Sequence, residues 1–140
     1  MCCPAQLVKE SLTLLAPDGS VNVIVSSEPL DARIDSEEYA TVQGQLLQDD
    51  FPEYQQLEYE RVAWPEGCSA WFRRFRWCPP GSFPVEQLQI YRVEPGRGYT
   101  GTATGSIASI GQADNTVMSI LRSVRASVSA LRGELSAAFT

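Results

Sequence analysis

The chain has 140 residues, 44% of them hydrophobic and 20% charged, which is one domain's worth with enough apolar material for its own core. Its mean hydropathy of −0.15 is ordinary for a globular protein, and its net charge of −6 and sequence pI of about 4.6 argue against one that wraps a phosphate backbone. No apolar run approaches the roughly 18–20 residues that cross a bilayer, so stable membrane insertion is not expected either.

Residues 11–16 and 21–27 are apolar, β-prone runs around Pro17-Asp18-Gly19-Ser20. Asp-Gly between such runs predicts a hairpin, and Pro29 blocks its continuation. Asp35-Ser36-Glu37-Glu38 reads as a helix start: Asp35 can accept from the first free amides, and Glu38 can reach back as in a capping box. Tyr39, Val42, Leu46 and Leu47 follow at helical spacing, and Phe51-Pro52 ends the helix. From Gln55 the period changes to two, predicting a strand that reaches Trp64, then a turn at Pro65-Glu66-Gly67. Residues 69–77 are the most β-like segment, broken by Pro79-Pro80-Gly81. Strands over residues 85–93 and 97–105 flank Glu94-Pro95-Gly96. The spacing of these four runs predicts an antiparallel meander. A last helix begins within residues 111–114 with Asp114 as its N-cap, carrying Val117, Ile120, Leu121, Val124 and Val128 on one face. The expected fold class is α+β: an antiparallel sheet of about six strands, N-terminal hairpin plus four-strand meander, with two main helices packed on it. Residues 1–140 form one domain with its core over about 10–127, and the ends are expected to be loose.

Charge is unevenly spread. Residues 1–60 hold two basic and twelve acidic side chains, whereas residues 61–140 hold nine arginines and five acids. Either the two halves lie side by side and their fields cancel, or a basic patch on the later strands engages an acidic or carboxylate-bearing partner. Of the four cysteines, Cys2 and Cys3 lie at the terminus, and Cys2 lacks the apolar segment that precedes a lipoprotein site. Cys68 and Cys78 at the ends of one strand would be roughly 30 Å apart. That is far beyond the ~7 Å between Cα atoms that a disulfide tolerates.

The sequence contains no histidine, which removes the Ser-His-Asp and Cys-His nucleophile systems and the commonest general base. Without histidine or a Cys-x-x-Cys pair no zinc site is expected, nor any cofactor. The carboxylate pairs Glu37/Glu38, Asp49/Asp50 and Glu58/Glu60 are read as solvated surface, with a carboxylate-based hydrolase as a remote alternative. Gly96-Arg97-Gly98-Tyr99-Thr100-Gly101 lacks the strand-loop-helix setting and Lys-Ser/Thr ending of a phosphate loop, so it reads as a turn opening a strand. Arginines interleaved with aromatics at residues 71–77 could stack on single-stranded nucleic acid, but the acidic balance speaks against a nucleic-acid partner.

Within residues 69–77, Trp71, Phe75 and Trp77 share one parity and are assigned to the core under a helix. Phe72, Arg74 and Arg76 share the other, and with Gln87, Gln89 and Tyr91 across the ladder they are expected to form one mixed, exposed face. Such a face joins apolar area to hydrogen bonding and suits protein recognition. These six residues are the candidate partner-binding site.

Several runs together resemble the DcrB-related family: Ser26-Ser27-Glu28-Pro29-Leu30-Asp31 after the hairpin, FPEYQQLEYERV over residues 51–62, WFRRFRW over 71–77, VEQLQIYRVEPGRGYTGTAT over 85–104, and ILRSVR over 120–125. The resemblance spans roughly residues 10–127 and implies a PsbP-like fold. That fold class includes accessory subunits of a photosynthetic complex and a nuclear protein that binds a small GTPase. Family members include cytoplasmic chaperones that shield apolar transmembrane segments of type VI secretion effectors, and also envelope lipoproteins. The family's opening strand and Trp-bearing turn before the first hairpin are weak or absent here. Residues 1–10 show no basic region followed by an apolar stretch, so no signal peptide is expected, and with that the resemblance implies a cytoplasmic, non-enzymatic chaperone or adaptor for a secreted protein and leaves a homodimer open. An envelope-associated accessory protein whose true start lies upstream is the alternative.

Overall fold

The computed structural model describes residues 10–15, 19–63 and 69–122 of the chain. Along them run β1 (Glu10–Leu15), β2 (Val21–Pro29), α1 (Ser36–Asp50), β3 (Gln55–Ala63), β4 (Ser69–Trp77), β5 (Val85–Glu94), β6 (Arg97–Ser106) and α2 (Ile107–Leu121). All strands pair antiparallel in one open sheet, in the order β1-β2-β6-β5-β4-β3. Strands β2 to β6 carry the described core, and β1 pairs outside β2 at one edge. The meander is thus as expected, and the hairpin, whose place in the sheet the sequence left open, joins it beside β6. Turns fall where the breakers predict: Gly19 and Gly96 take φ of 75° and 84°, a conformation open to glycine because it lacks Cβ.

One helix covers each face of the sheet. Alternate residues of β4 make this plain, since successive side chains on a strand point to opposite sides. Arg73 reaches the Ala40 carbonyl of α1, and Arg74 reaches the Asp114 carboxylate of α2. On the α2 side, Val21, Val23, Val25, Phe72, Leu88, Ile90 and Ala103 pack against Ile110, Val117, Ile120 and Leu121. The smaller α1 side packs Tyr39 and Ala40 on Tyr91, with Leu30, Ile34, Tyr59, Trp71 and Val93 around them. The connection through α1 runs from β2, next to one edge, to β3 at the other edge, and so crosses the intervening strands β6, β5 and β4.

Local chemistry sets the helix ends, with two corrections to the sequence reading. Asp35 caps α1 as predicted, its Oδ1 accepting from the Glu38 amide at 2.8 Å, and Phe51 closes the helix on the Leu47 carbonyl. The α1 stripe differs: Ser36, Tyr39, Ala40 and Leu47 are buried, whereas Val42 and Leu46 are 52% and 50% exposed. Helical spacing alone cannot tell a buried apolar residue from an exposed one on the helix flank. The start of α2 differs as well. Its N-cap is Ser106, whose Oγ accepts from the Ser109 amide at 3.1 Å, so the helix begins before residue 111 and Asp114 sits inside it. The Gly111-Gln112 pair reads as a break, but packing of Ile110 into the core carries the helix through it. Val124, Val128, Trp64, the turn at residues 65–67, Cys2, Cys3 and Cys68 lie outside the described residues. Cys78 is free and half-buried.

Candidate functional site

The six residues predicted to form one face are divided between two. The β4–β5 register pairs Phe72 with Ile90, Arg74 with Leu88 and Arg76 with Glu86, while Gln87 lies opposite Phe75 and Tyr91 opposite Trp71. Phe72, Arg74 and Arg76 therefore belong to the α2 side, and Gln87, Gln89 and Tyr91 to the α1 side. The expected pairing was one residue out of register, and a one-residue slip turns every side chain of a strand to the other face. Phe72 is 2% exposed and Tyr91 is fully buried, so neither is an exposed contact. The premise of one wet face fails because a helix lies on each side.

On the α2 side, Arg74 is the hub of a charge network. Its Nη1 donates to Glu86 Oε2 at 2.8 Å and its Nη2 to Asp114 Oδ1 at 2.9 Å, with Glu58 Oε1 3.4 Å from Nε. Burial pushes the Arg74 guanidinium down, but the hydrogen bonds to Asp114 and Glu86 outweigh it, and the group is raised overall. Arg76 Nε donates to the other oxygen of Glu86 at 2.9 Å. Arg74 and Arg76 thus face carboxylates of this chain, which on this side favours the reading of cancelling fields over that of a basic patch. A cleft of about 440 Å³ between β3 and α2 is lined by Glu58, Glu60, Arg74, Asp114 and Arg122. Two of its three carboxylates are ion-paired to Arg74, an arrangement that ties sheet to helix rather than presenting a free acid and base.

The α1 side divides in two along the helix. Tyr39 Oη lies 2.8 Å from Thr100 Oγ1 and donates to Glu28 Oε2, so that flank of α1 faces β6 and β2. Val42 and Leu46, three and seven residues on, lie along the same flank. On the same side of the sheet, β5 and β6 carry a neutral ladder of half-buried glutamines and threonines. Gln87 Nε2 donates to Thr104 Oγ1 at 2.6 Å, Gln89 Nε2 to Thr102 Oγ1 at 3.1 Å, and Trp77 Nε1 to Gln87 Oε1 at 2.7 Å. Ile24, opposite Thr102 on β2, is 37% exposed. The result is a trough with apolar Val42, Leu46 and Ile24 at its sides and an internally bonded polar floor.

Across α1, on the β3 side, Arg73 lies buried at 4% exposure. Its Nε donates to Gln56 Oε1 at 3.2 Å and its Nη1 to Tyr91 Oη at 2.8 Å and the Ala40 carbonyl at 3.3 Å. The Tyr59 ring lies 4.4 Å from its Cζ and the Tyr91 ring 5.3 Å. Burial raises the Tyr54 phenol nearby, with the Arg73 charge acting against it. The sequence reading missed Ile24, Thr102, Thr104 and Arg73. Thr102 and Thr104 carried a signal in their shared parity with Gln87 and Gln89, but only the strand order brings β2 and β6 beside them.

The fold defined by these elements is an α+β domain with an open antiparallel sheet and one helix on each face. No protein-family model matches the sequence, and no curated protein matches it. Among solved structures, the chain is similar to PA94 from Pseudomonas aeruginosa, a protein of unknown function and suggested regulator, with a TM-score of 0.70 at 10% identity over 86% of this chain and 84% of that one. It is also similar to LpqN of Mycobacterium tuberculosis, a protein involved in cell envelope biogenesis, with a TM-score of 0.50 at 12% identity over 84% and 83%. At these identities the likeness concerns the fold alone. No helix among the described residues is long and apolar enough to cross a membrane.

Proposed function

We propose that the chain is a non-enzymatic binding protein of the DcrB-related, PsbP-like kind, a cytoplasmic chaperone or adaptor that holds an apolar segment of a secreted protein. The observation that carries this reading is the trough beside α1. Its sides expose Val42, Leu46 and Ile24, and its floor of Gln87, Gln89, Thr102 and Thr104 bears no charge. Those floor groups already bond to one another, so an apolar segment laid over them would leave few orphaned donors. Of the six residues marked by sequence, Gln87 and Gln89 stay in the site. Phe72, Arg74 and Tyr91 serve the two helix interfaces instead, and Arg76 pairs with Glu86 on the α2 side.

Affinity capture from native cells with the tagged protein, followed by mass spectrometry, tests this. The wild type should recover a secreted protein bearing apolar segments. Val42→Asp/Leu46→Asp, two exposed positions, should lose it, and Arg76→Ala on the opposite face should keep it. Identical capture by wild type and trough variant would rule the trough out as the binding surface. A second reading, an accessory protein of the cell envelope, draws on the structural likeness to LpqN. Cell fractionation separates the two, since the chaperone reading requires the protein in the soluble cytoplasmic fraction.

A further inference from the structure

Buried cations in proteins are paired, because an isolated charge taken out of water costs several kcal/mol. Two arginines here follow that rule: Arg74 meets Glu58, Glu86 and Asp114, and the buried Arg92 meets Glu94 at 2.9 Å. Arg73, at 4% exposure, does not. All of its hydrogen-bond acceptors are neutral, namely the Gln56 amide oxygen, the Ala40 carbonyl and the Tyr91 hydroxyl, and no carboxylate among the described residues pairs with it. Its Nη2 has no hydrogen bond among the described residues. Space is kept for that nitrogen by Gly44, where a Cβ would collide with it. Arg73 also forms part of the wall of a cleft of about 270 Å³ between α1 and β3. The other walls are neutral hydrogen-bonding groups, among them Gln48 and Tyr54.

We propose that this cleft is a carboxylate-binding site, with Arg73 Nη2 as the charge partner and the Gln48 amide and Tyr54 hydroxyl as flanking donors. One cation with neutral donors balances a single negative charge. A phosphate dianion calls for more than one cation, and none of the other residues lining the cleft is basic. The volume suits a short acid or one carboxylate-bearing side chain or chain end, and is below the range of drug-sized ligands. The Tyr59 and Tyr91 rings, whose centroids lie 4.4 and 5.3 Å from the Arg73 Cζ, hold the guanidinium in place before the anion arrives, which lowers the ordering cost of binding.

The test follows the Arg73 Nε–Hε resonance of the ¹⁵N-labelled full chain by NMR at matched ionic strength. The probes are acetate, glutarate, an acidic peptide and the same peptide with its carboxyls amidated, each up to about 100 mM, where any site tighter than roughly 10 mM saturates. A saturable shift with carboxylates and none with chloride or the amidated peptide is expected. Saturation by glutarate at lower concentration than by the peptide would mark a free small acid as the source, and the reverse order a protein carboxylate. Arg73→Gln should abolish the response of neighbouring backbone amides. If that variant does not fold, Gln48→Leu, which removes the amide donor from the rim, should weaken binding by about tenfold, the loss of a charge-assisted hydrogen bond. No saturable shift with any carboxylate, or an unchanged response in the variant that folds, would overturn the site. Because the cleft and the trough flank α1 on opposite sides, failure here leaves the chaperone reading standing.

Discussion

Arg73 and Arg74 are neighbours in sequence with opposite surroundings, because alternation along β4 sends one under each helix. Arg74 clamps Glu86, whose side chain is only 6% exposed, and its loss would leave that carboxylate with Arg76 alone. We expect Arg74→Ala to destabilise the fold by about 2 kcal/mol in urea unfolding, short of the full cost of an unpaired buried charge because Arg76 remains. A change below about 0.5 kcal/mol would place the network with ordinary surface pairs. The tyrosines supply a second residue-scale prediction. Burial raises the phenols of both Tyr39 and Tyr91 above their ordinary value. Their hydroxyls therefore stay protonated in the folded state at a pH where the unfolded chain, with phenols near 10, has begun to lose protons. The unfolded state then binds fewer protons, so stability is fully present below pH ~10 and falls as pH rises beyond it. Titration of tyrosine absorbance should show these two groups ionising only together with loss of the far-ultraviolet circular dichroism signal. Ionisation of every tyrosine at its ordinary pH in the folded protein would contradict their burial.

At the scale of elements, the two helices differ in what a glycine does for them. Gly98 of β6 lies beneath α1, where an added Cβ would come within 2.7 Å of Tyr39 Cζ and 2.8 Å of Leu30 Cδ1. Gly98→Ala should wedge α1 from the sheet and destabilise by about 1–3 kcal/mol, the usual cost of overpacking. Gly111 sits inside α2 on its exposed side with nothing within 4 Å of an added Cβ. Gly111→Ala should stabilise by up to about 1 kcal/mol through helix propensity. Shifts of opposite sign in the two urea midpoints would confirm the tight contact at Gly98 and the open space at Gly111. The elements themselves were largely legible in the sequence: β4 begins and ends at the predicted residues, and the Asp35 cap is where its side-chain chemistry placed it. The start of α2 was not, because Ser106 reads as the end of a Thr-rich strand until Ile110 is seen in the core.

For the whole molecule, the decisive feature is a sheet covered on both sides but not to its edges. Strands β5 and β6 have a neighbour on either side and contribute buried side chains beneath the helices, whereas β3 is an edge strand with most of its residues exposed. Native-state hydrogen exchange should therefore find the slowest amides in β5 and β6, and markedly faster exchange along β3. Equal protection along β3 would mean that a further partner covers that edge. By itself the sequence determined the α+β class, the order of the elements, most of their limits and the exclusion of histidine-based chemistry. All of these rest on local periodicity, breaker residues and composition. The tertiary structure alone decided the β4–β5 register, the placement of the hairpin beside β6, and the division of the helices between two faces. Those depend on which strands meet and by how many residues they are offset, energies that arise only between segments distant in the chain. That is why Gln87 and Arg74, read as one surface, lie on opposite sides of the sheet, and why Arg73, read only as one of an arginine run that could stack on nucleic acid, ends up buried without a counter-charge among the described residues.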